Sequence, residues 1–253
     1  MQKLKLQKNN HIPETGQSYT KYRFISETCI LIYKKIGFTP FQVLQEVRDF
    51  LSDEDKSKIT FAGRLDPMAE GYIHILWSGD EDEKGNLMGL DKQYKVEVLI
   101  GIKTDTDDIL GLIDFVNDKV MDFHKDELDK FVGPFEYNYP KYSSPHIKDV
   151  LKGNDFEYKK QNGYIYDIKF LGVEVLNNED FKNKVFDKLG QCNMTGYFRL
   201  DNIKECWNDF FDNNKKDYQV VSLNVRCKSG TYMRVLAREL GGFALGIERG
   251  EVF

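Results

Sequence analysis

Apolar residues recur along this chain in short runs with two different periods. Thr28–Tyr33 is β-branched and apolar and predicts a strand, and Tyr72–Trp77 is a continuous apolar run, the mark of a strand buried on both faces. Tyr94, Val96, Val98 and Ile100 alternate with polar residues, so this stretch predicts a strand with one apolar face. Ile165–Val175 and Tyr218–Cys227 predict two more strands. Gly101–Gly111 reads as a turn after which Leu110–Phe115 pairs back. Helical spacing lies between these runs. Thr39-Pro40 opens a helix with Pro near its first position, and Phe41, Leu44, Val47 and Leu51 form its apolar face. Phe123–Phe131 predicts a short helix stopped at Gly133-Pro134. Asn178–Leu189, Asp201–Phe211 and Thr231–Leu240 predict further helices, the last followed by Gly241. Strands dominate with helices between them, which defines an α+β domain. Residues 1–25 read as a polar N-terminal extension, mobile in part, and 26–253 as a single domain.

Composition narrows the class. The 253 residues suit one large domain, and 41% hydrophobic content supplies a core that needs neither metal nor disulfide. The net charge of −5 argues against a basic nucleic-acid coat but says nothing about a local basic groove. Cys29, Cys192, Cys206 and Cys227 are scattered, with no C-x-x-C, which points to reduced thiols and a cytoplasmic protein. The N-terminus has no apolar core of a signal peptide, and no apolar run approaches the length of a membrane span. Nucleotide-loop, dinucleotide, zincin and nucleophile-elbow motifs are absent. Asp105-Thr-Asp107-Asp108 starts like a calcium loop but lacks the third ligand and the glycine.

Two segments carry candidate chemistry. In Gly63-Arg-Leu-Asp66-Pro-Met-Ala-Glu-Gly71, Pro67 pushes Asp66 toward an extended conformation. Arg64 and Asp66, two apart, then share a face. The loop runs into a buried strand, so it is either an ordinary Asp-Pro turn or a rigid mount for one carboxylate at the floor of a cleft. In Lys228-Ser-Gly-Thr-Tyr-Met-Arg234, a strand passes into a helix. Arg234 falls in the first helical turn, where the helix dipole disfavours a cation. It calls for an anionic partner, carboxylate or phosphate, unless it belongs to a solvated basic face with Arg238.

These residues carry a family resemblance. Gly63–Gly71 resembles the catalytic loop of the TruB-type tRNA pseudouridine synthases. Asp91-Lys-Gln-Tyr94-Lys-Val, Gly101-Ile-Lys-Thr-Asp-Thr-Asp107 and Gly111 resemble the next block, Tyr139-Pro-Lys-Tyr142-Ser143-Ser144 a Pro-Tyr-Ser segment, and Ser229-Gly-Thr-Tyr-Met-Arg234-Val-Leu-Ala the final block. The four stand in the family's order over about residues 28–253. The resemblance implies a pseudouridine-synthase-like catalytic domain, a mixed, mainly antiparallel sheet flanked by helices. It implies isomerisation of a uridine in RNA without cofactor or metal, with the T-loop uridine of tRNA as the target and the tRNA T-arm as partner. A ribosomal RNA target and a non-catalytic RNA-binding or folding protein are the alternatives. Asp66 would be the catalytic aspartate, Arg234 its partner, and Tyr94 the tyrosine packed on the target base. Lys34, Arg64, Tyr142, Ser143, Lys228 and Tyr232 would contact substrate. Lys35, Lys141, Lys148, Arg226 and Arg238 are further candidates for phosphate. No protein partner or membrane is implied, and a monomer is expected.

The chain departs from the family pattern in five respects. Phe61-Ala62 stands where the family usually has a histidine before the aspartate, and Lys35 replaces a usual proline. Arg64 gives an R-L-D pattern that other pseudouridine synthase families share. No C-terminal RNA-binding domain is expected within this length. Residues 178–217 match no block and read as an insertion, either clasping RNA or serving as scaffold. His74, on a buried strand, reads as structural, and His146 is only a weak candidate for an RNA contact.

Overall fold

The computed structural model describes residues 12–117, 123–143, 146–155, 157–158, 160–192 and 199–251. The chain opens with β1 (Tyr19–Ser26), β2 (Cys29–Lys34), α1 (Pro40–Arg48), α2 (Asp53–Lys56), β3 (Thr60–Ala62) and β4 (Glu70–Leu76). It continues through α3 (Glu81–Gly89), β5 (Lys92–Ile100), β6 (Ile102–Thr104), β7 (Ile113–Val116), a 3₁₀ helix (Lys125–Phe131), β8 (Gly133–Asn138) and α4 (Ile147–Lys152). It ends with β9 (Lys160–Leu176), α5 (Asn178–Gln191), α6 (Leu200–Asn213), β10 (Tyr218–Cys227), α7 (Met233–Glu239) and β11 (Gly242–Arg249). The main sheet runs β1-β2-β4-β11-β5-β10-β9-β8, with β3 beside β4. Its pairings are antiparallel except β4 with β11. This is the α+β, mainly antiparallel architecture expected.

Local chemistry accounts for the ends of α1. Thr39 and Gln42 form a reciprocal capping box, and Pro40 sits at the first turn. Its core face is Val43, Leu44 and Val47, with Leu51 just beyond; Phe41, expected inside, is 59% exposed.

Three further features depart from the reading of the sequence. The polar extension does not reach residue 25: β1 pairs with β2, and Tyr19 and Tyr22 donate from their hydroxyls to Pro13 and Ile12 carbonyls at 3.0 and 2.6 Å. An edge strand needs only one half-apolar face, so β1 looks polar in sequence. Residues 1–11 lie outside the described residues. The segment expected to pair back after residue 101 does so through β7, but onto β6, a strand inside the stretch read as a turn. Gly101 takes φ +92, breaks β6 away from β5, and lets β6 pair with β7 as a separate two-stranded sheet. Finally, β11 falls in a stretch where the periodicity marks no element, yet it lies at the centre of the sheet between β4 and β5. Glycine explains why it looks unlike a strand. A Cβ on Gly242 would come within 1.9 Å of the Leu99 carbonyl oxygen, so close packing of β11 on β5 admits no larger residue.

The sheet has two differently covered faces. Tyr94, Val96 and Val98 share one face with Val225, Leu223 and Val221 of β10 and with Arg249 and Ile247 of β11. That face meets α7. Glu97 points the other way, toward Lys184 and Lys188 of α5 at 3.6 and 3.7 Å. Helices α5 and α6 close that side through Phe181, Val185, Leu189, Trp207, Phe210 and Phe211, all buried. The described part of 178–217 therefore contributes to the core. No helix among the described residues is long and apolar enough to cross a membrane.

Candidate active site

The loop between β3 and β4 is pinned from below. Leu65, Met68 and Ala69 are buried, so Arg64 and Asp66 are turned outward on one side, as two extended residues should be. Gly37 donates from its backbone to the Pro67 carbonyl at 2.8 Å, and the Ala69 N–H closes a turn onto the Asp66 carbonyl at 3.1 Å. At the far end, Gly71 takes φ +122, and a Cβ there would lie 2.1 Å from the Arg249 carbonyl oxygen. Only glycine allows the loop to join β4 so close to β11.

Arg234 reaches Asp66 from α7. Its Nε lies 2.9 Å from Asp66 Oδ2 and its Nη1 3.3 Å from Asp108 Oδ2, and Nη1 donates to the Thr106 and Tyr142 carbonyls at 2.9 and 3.3 Å. The Arg234 side chain is 4% exposed while that of Asp66 is 38% exposed. The arginine is thus a buried support and the aspartate faces the solvent side of the pair. Burial disfavours the charged guanidinium, but Asp66 and Asp108 outweigh that cost and hold it protonated above its ordinary range. Burial pushes Asp108 up to about 6, against the pull of Arg234.

Asp66 opens into a cleft of about 310 Å³ whose lining includes Arg64, Lys92, Tyr94, Tyr232, Arg234 and Arg249. Burial raises the Tyr94 phenol, and the neighbouring Arg249 guanidinium opposes that rise, so the hydroxyl is neutral at physiological pH. Arg249 is 2% exposed, and it donates from Nε to the Tyr72 carbonyl at 2.7 Å and from Nη1 to the Arg64 carbonyl at 2.9 Å. Lys92 is buried too. Its ammonium donates to the Met88 and Leu90 carbonyls and to Ser229 Oγ, and burial brings it down to about 8. Among the described residues neither Arg249 nor Lys92 has a carboxylate within ion-pairing distance. The cleft therefore carries positive charge that is balanced only at Arg234, and it suits an anionic ligand.

Asp66, Tyr94, Arg234, Arg64 and Tyr232 meet at one cleft, as the sequence blocks require. The other predicted contacts do not. Lys34 is 0% exposed, and its ammonium donates to the Lys35, Phe38 and Ala69 carbonyls, so it secures the loop instead of touching a ligand. Ser143 is buried, and its carbonyl accepts from the His146 N–H. Tyr142 offers its carbonyl to Arg234, while its ring lies 4.3 Å from the Arg199 guanidinium carbon, away from the cleft. Lys228 is exposed but does not line the cleft. Lys35 donates to the Gly16 and Gln17 carbonyls, Arg226 lies over the Tyr166 ring, and Arg238 pairs with Asp107 at 2.9 Å. Lys141 sits over the Tyr142 ring, and Ser144 and the Lys148 side chain lie outside the described residues. His146 is buried between the Tyr139 and Tyr158 rings. His74 is buried in β4 as expected, and Phe61 fills its β3 position against Ile75.

Sequence reasoning missed Arg249, Lys92 and Asp108. The signal for Arg249 was a lone cation ending the apolar run Phe243–Ile247; for Asp108 it was the last carboxylate of a turn dismissed as a broken calcium loop. Among the described residues no group of three or more His, Cys, Asp or Glu side chains is arranged to hold a metal ion.

The fold is similar to a chain in the crystal structure of a Cbf5-Nop10-Gar1 complex, with TM-score 0.51 and 14% identity over 96% of this chain and 56% of that one. It is similar also to a chain in an H/ACA RNP bound to a substrate RNA containing 2′-deoxyuridine, with TM-score 0.50. Residues 49–186 match the model of the TruB family pseudouridylate synthase N-terminal domain, and the chain belongs to that family. Curated relatives include the tRNA pseudouridine synthase B of Borreliella burgdorferi (strain ZS7), 27% identical over 219 residues, covering 83% of this chain and 62% of the relative. The tRNA pseudouridine synthase B of Clostridium perfringens is 27% identical over 217 residues, covering 84% of this chain and 60% of the relative. The chain spans about three-fifths of the length of these relatives.

Proposed function

We propose that this protein isomerises a uridine of RNA to pseudouridine, and that the uridine is the T-loop uridine of tRNA. The observation that carries the reading is the half-exposed Asp66, braced by buried Arg234, at the floor of a cleft lined by Arg64, Lys92 and Arg249. The names of the curated relatives support tRNA as the substrate.

The reaction breaks the bond from uracil N1 to the sugar C1′, turns the ring, forms a bond from C5 to C1′, releases the C5 proton and returns one proton to N1. Substrate and product are isomers, so the balance needs no co-reactant. Asp66 assists either by adding to the uracil ring or by acting at the sugar; both routes need an ionised carboxylate in contact with the nucleotide. Arg234 favours that ionised form by its charge and fixes the carboxylate's direction. A uridine can reach Asp66 only by leaving its stack. Tyr94 and Tyr232 then offer ring faces to the extruded base. The chain acts as a monomer in this reading.

Replacing Asp66 by Asn keeps the shape of the loop and removes the charge. Pseudouridine mapping on a mixture of tRNA and ribosomal RNA transcripts should show product at the T-loop uridine with the wild-type protein. The Asp66→Asn variant should bind the same RNA and give none. Product at wild-type rate from the variant would exclude Asp66, and product confined to ribosomal transcripts would overturn the choice of tRNA. Binding without product by the wild-type protein would mark an RNA-binding protein on the same scaffold.

A further inference from the structure

We infer that Asp107 and Arg238 are positioning residues, a brace that holds the socket in which Arg234, and through it Asp66, is set. The inference rests on the synthase reading above. The socket is the turn 105–108, which supplies Arg234 with the Thr106 carbonyl at 2.9 Å and the Asp108 carboxylate at 3.3 Å. That turn has an unusual backbone. Asp107 is a non-glycine residue at φ +61, in the left-handed region, which costs an L-residue free energy unless its surroundings hold it there.

Two arginines on one helix provide the hold. Arg234 and Arg238 are four residues apart on α7 and so share a face. Arg234 takes Asp108, and Arg238 Nη1 takes Asp107 Oδ2 at 2.9 Å. Consecutive side chains on an extended strand point to opposite sides. The left-handed twist at Asp107 is what lets both carboxylates face the same helix. The rest of the turn is then fixed from the other side: the Ala244 N–H donates to the Asp107 carbonyl at 3.0 Å and the Ile109 N–H to the Ala244 carbonyl at 3.2 Å, tying the turn to β11. Thr106 Oγ1 and the Leu110 N–H both donate to Asp108 Oδ1, at 2.7 and 2.9 Å, and aim its other oxygen at Arg234. Asp107 is buried, whereas the Arg238 side chain is 28% exposed, so the brace closes the socket at its solvent side. Arg238, which the sequence suggests as a phosphate contact, is thereby committed to the protein.

A brace acts on the geometry of catalysis and leaves the ligand-lined wall of the cleft alone. Single-turnover rates and RNA affinity should therefore separate. Asp107→Asn keeps a residue that tolerates the left-handed conformation and removes the charge; Arg238→Gln removes the other partner. Each should lower the rate at saturating enzyme by roughly 10- to 100-fold, since small displacements of reacting groups cost that much, with RNA affinity unchanged. The double variant should be no slower than the slower single variant, because each change breaks the same contact. Arg238→Lys should recover most of the loss, because the contact to Asp107 is made through one nitrogen and a lysine can replace it. If Asp107→Asn lowers the melting temperature, Asp107→Gly serves in its place, because glycine takes the left-handed conformation without strain. A wild-type rate in either single variant, losses that multiply in the double variant, or no recovery with lysine would overturn the brace. Failure of the synthase reading itself would look different: the wild-type protein would give no pseudouridine at all.

Discussion

Three backbone carbonyls surround the Lys34 ammonium, and each accepts one of its three protons. Burial brings this lysine down to about 7, against the pull of Asp66. Near neutrality the side chain therefore sits close to the point where it gives up a proton and one of the three contacts. Its task is mechanical, since the Ala69 carbonyl it holds belongs to the loop bearing Asp66. Lys34→Met should lower the unfolding free energy by about 2–4 kcal/mol, the cost of leaving buried carbonyls without a donor. It should leave the salt dependence of RNA binding as it was, a result that urea unfolding and binding titrations would check together. Arg64→Gln, at the exposed rim, should do the reverse: stability within about 0.5 kcal/mol of wild type and a log–log salt slope shallower by about 1.

At the scale of the element, β4 shows how one strand can serve both core and site. Its N-terminal end receives the loop with Asp66, and its middle is locked between β2 and β3, with Leu31 and Ala62 both opposite His74. Burial, with Arg249 and Lys92 adding repulsion, brings His74 down from 6.5 to about 4. The sign follows from proton binding. Between pH 6.5 and 4 the unfolded chain protonates this histidine and the folded chain does not, so stability falls as the pH falls through that window and is unaffected by His74 above it. The span corresponds to about 3 kcal/mol. Unfolding curves of the wild type should lose that much more stability from pH 6.5 to 4 than those of His74→Leu; parallel curves would show that the imidazole is protonated in the fold. Neighbouring β11 has the same double character. It fills the centre of the sheet and ends in Arg249, whose guanidinium reaches both the loop and Tyr94.

Across the whole molecule, charge is divided unevenly. The chain carries a net −5, yet the cleft gathers Arg64, Lys92 and Arg249 around a single exposed carboxylate. RNA binding should weaken with salt along a negative log–log slope, because neutralising backbone phosphates releases their counterions. A slope near zero in filter-binding or fluorescence titrations would mean that this patch does not meet the RNA backbone. The sequence alone determined much of this arrangement. Periodicity placed most strands and helices, because an apolar face repeats every second or every third to fourth residue whatever lies beyond it. Ordered blocks placed Asp66, Tyr94 and Arg234 in one site, because the chemistry constrains residue type at each position. The tertiary structure decided what long-range packing decides. It made β11 central, since strand order in a sheet depends on partners distant in sequence. It turned Lys34 and Arg238 from RNA contacts into internal ties, because whether a cation faces phosphate or carbonyl depends on which atoms the fold brings within 3 Å of it, and no spacing along the chain records that.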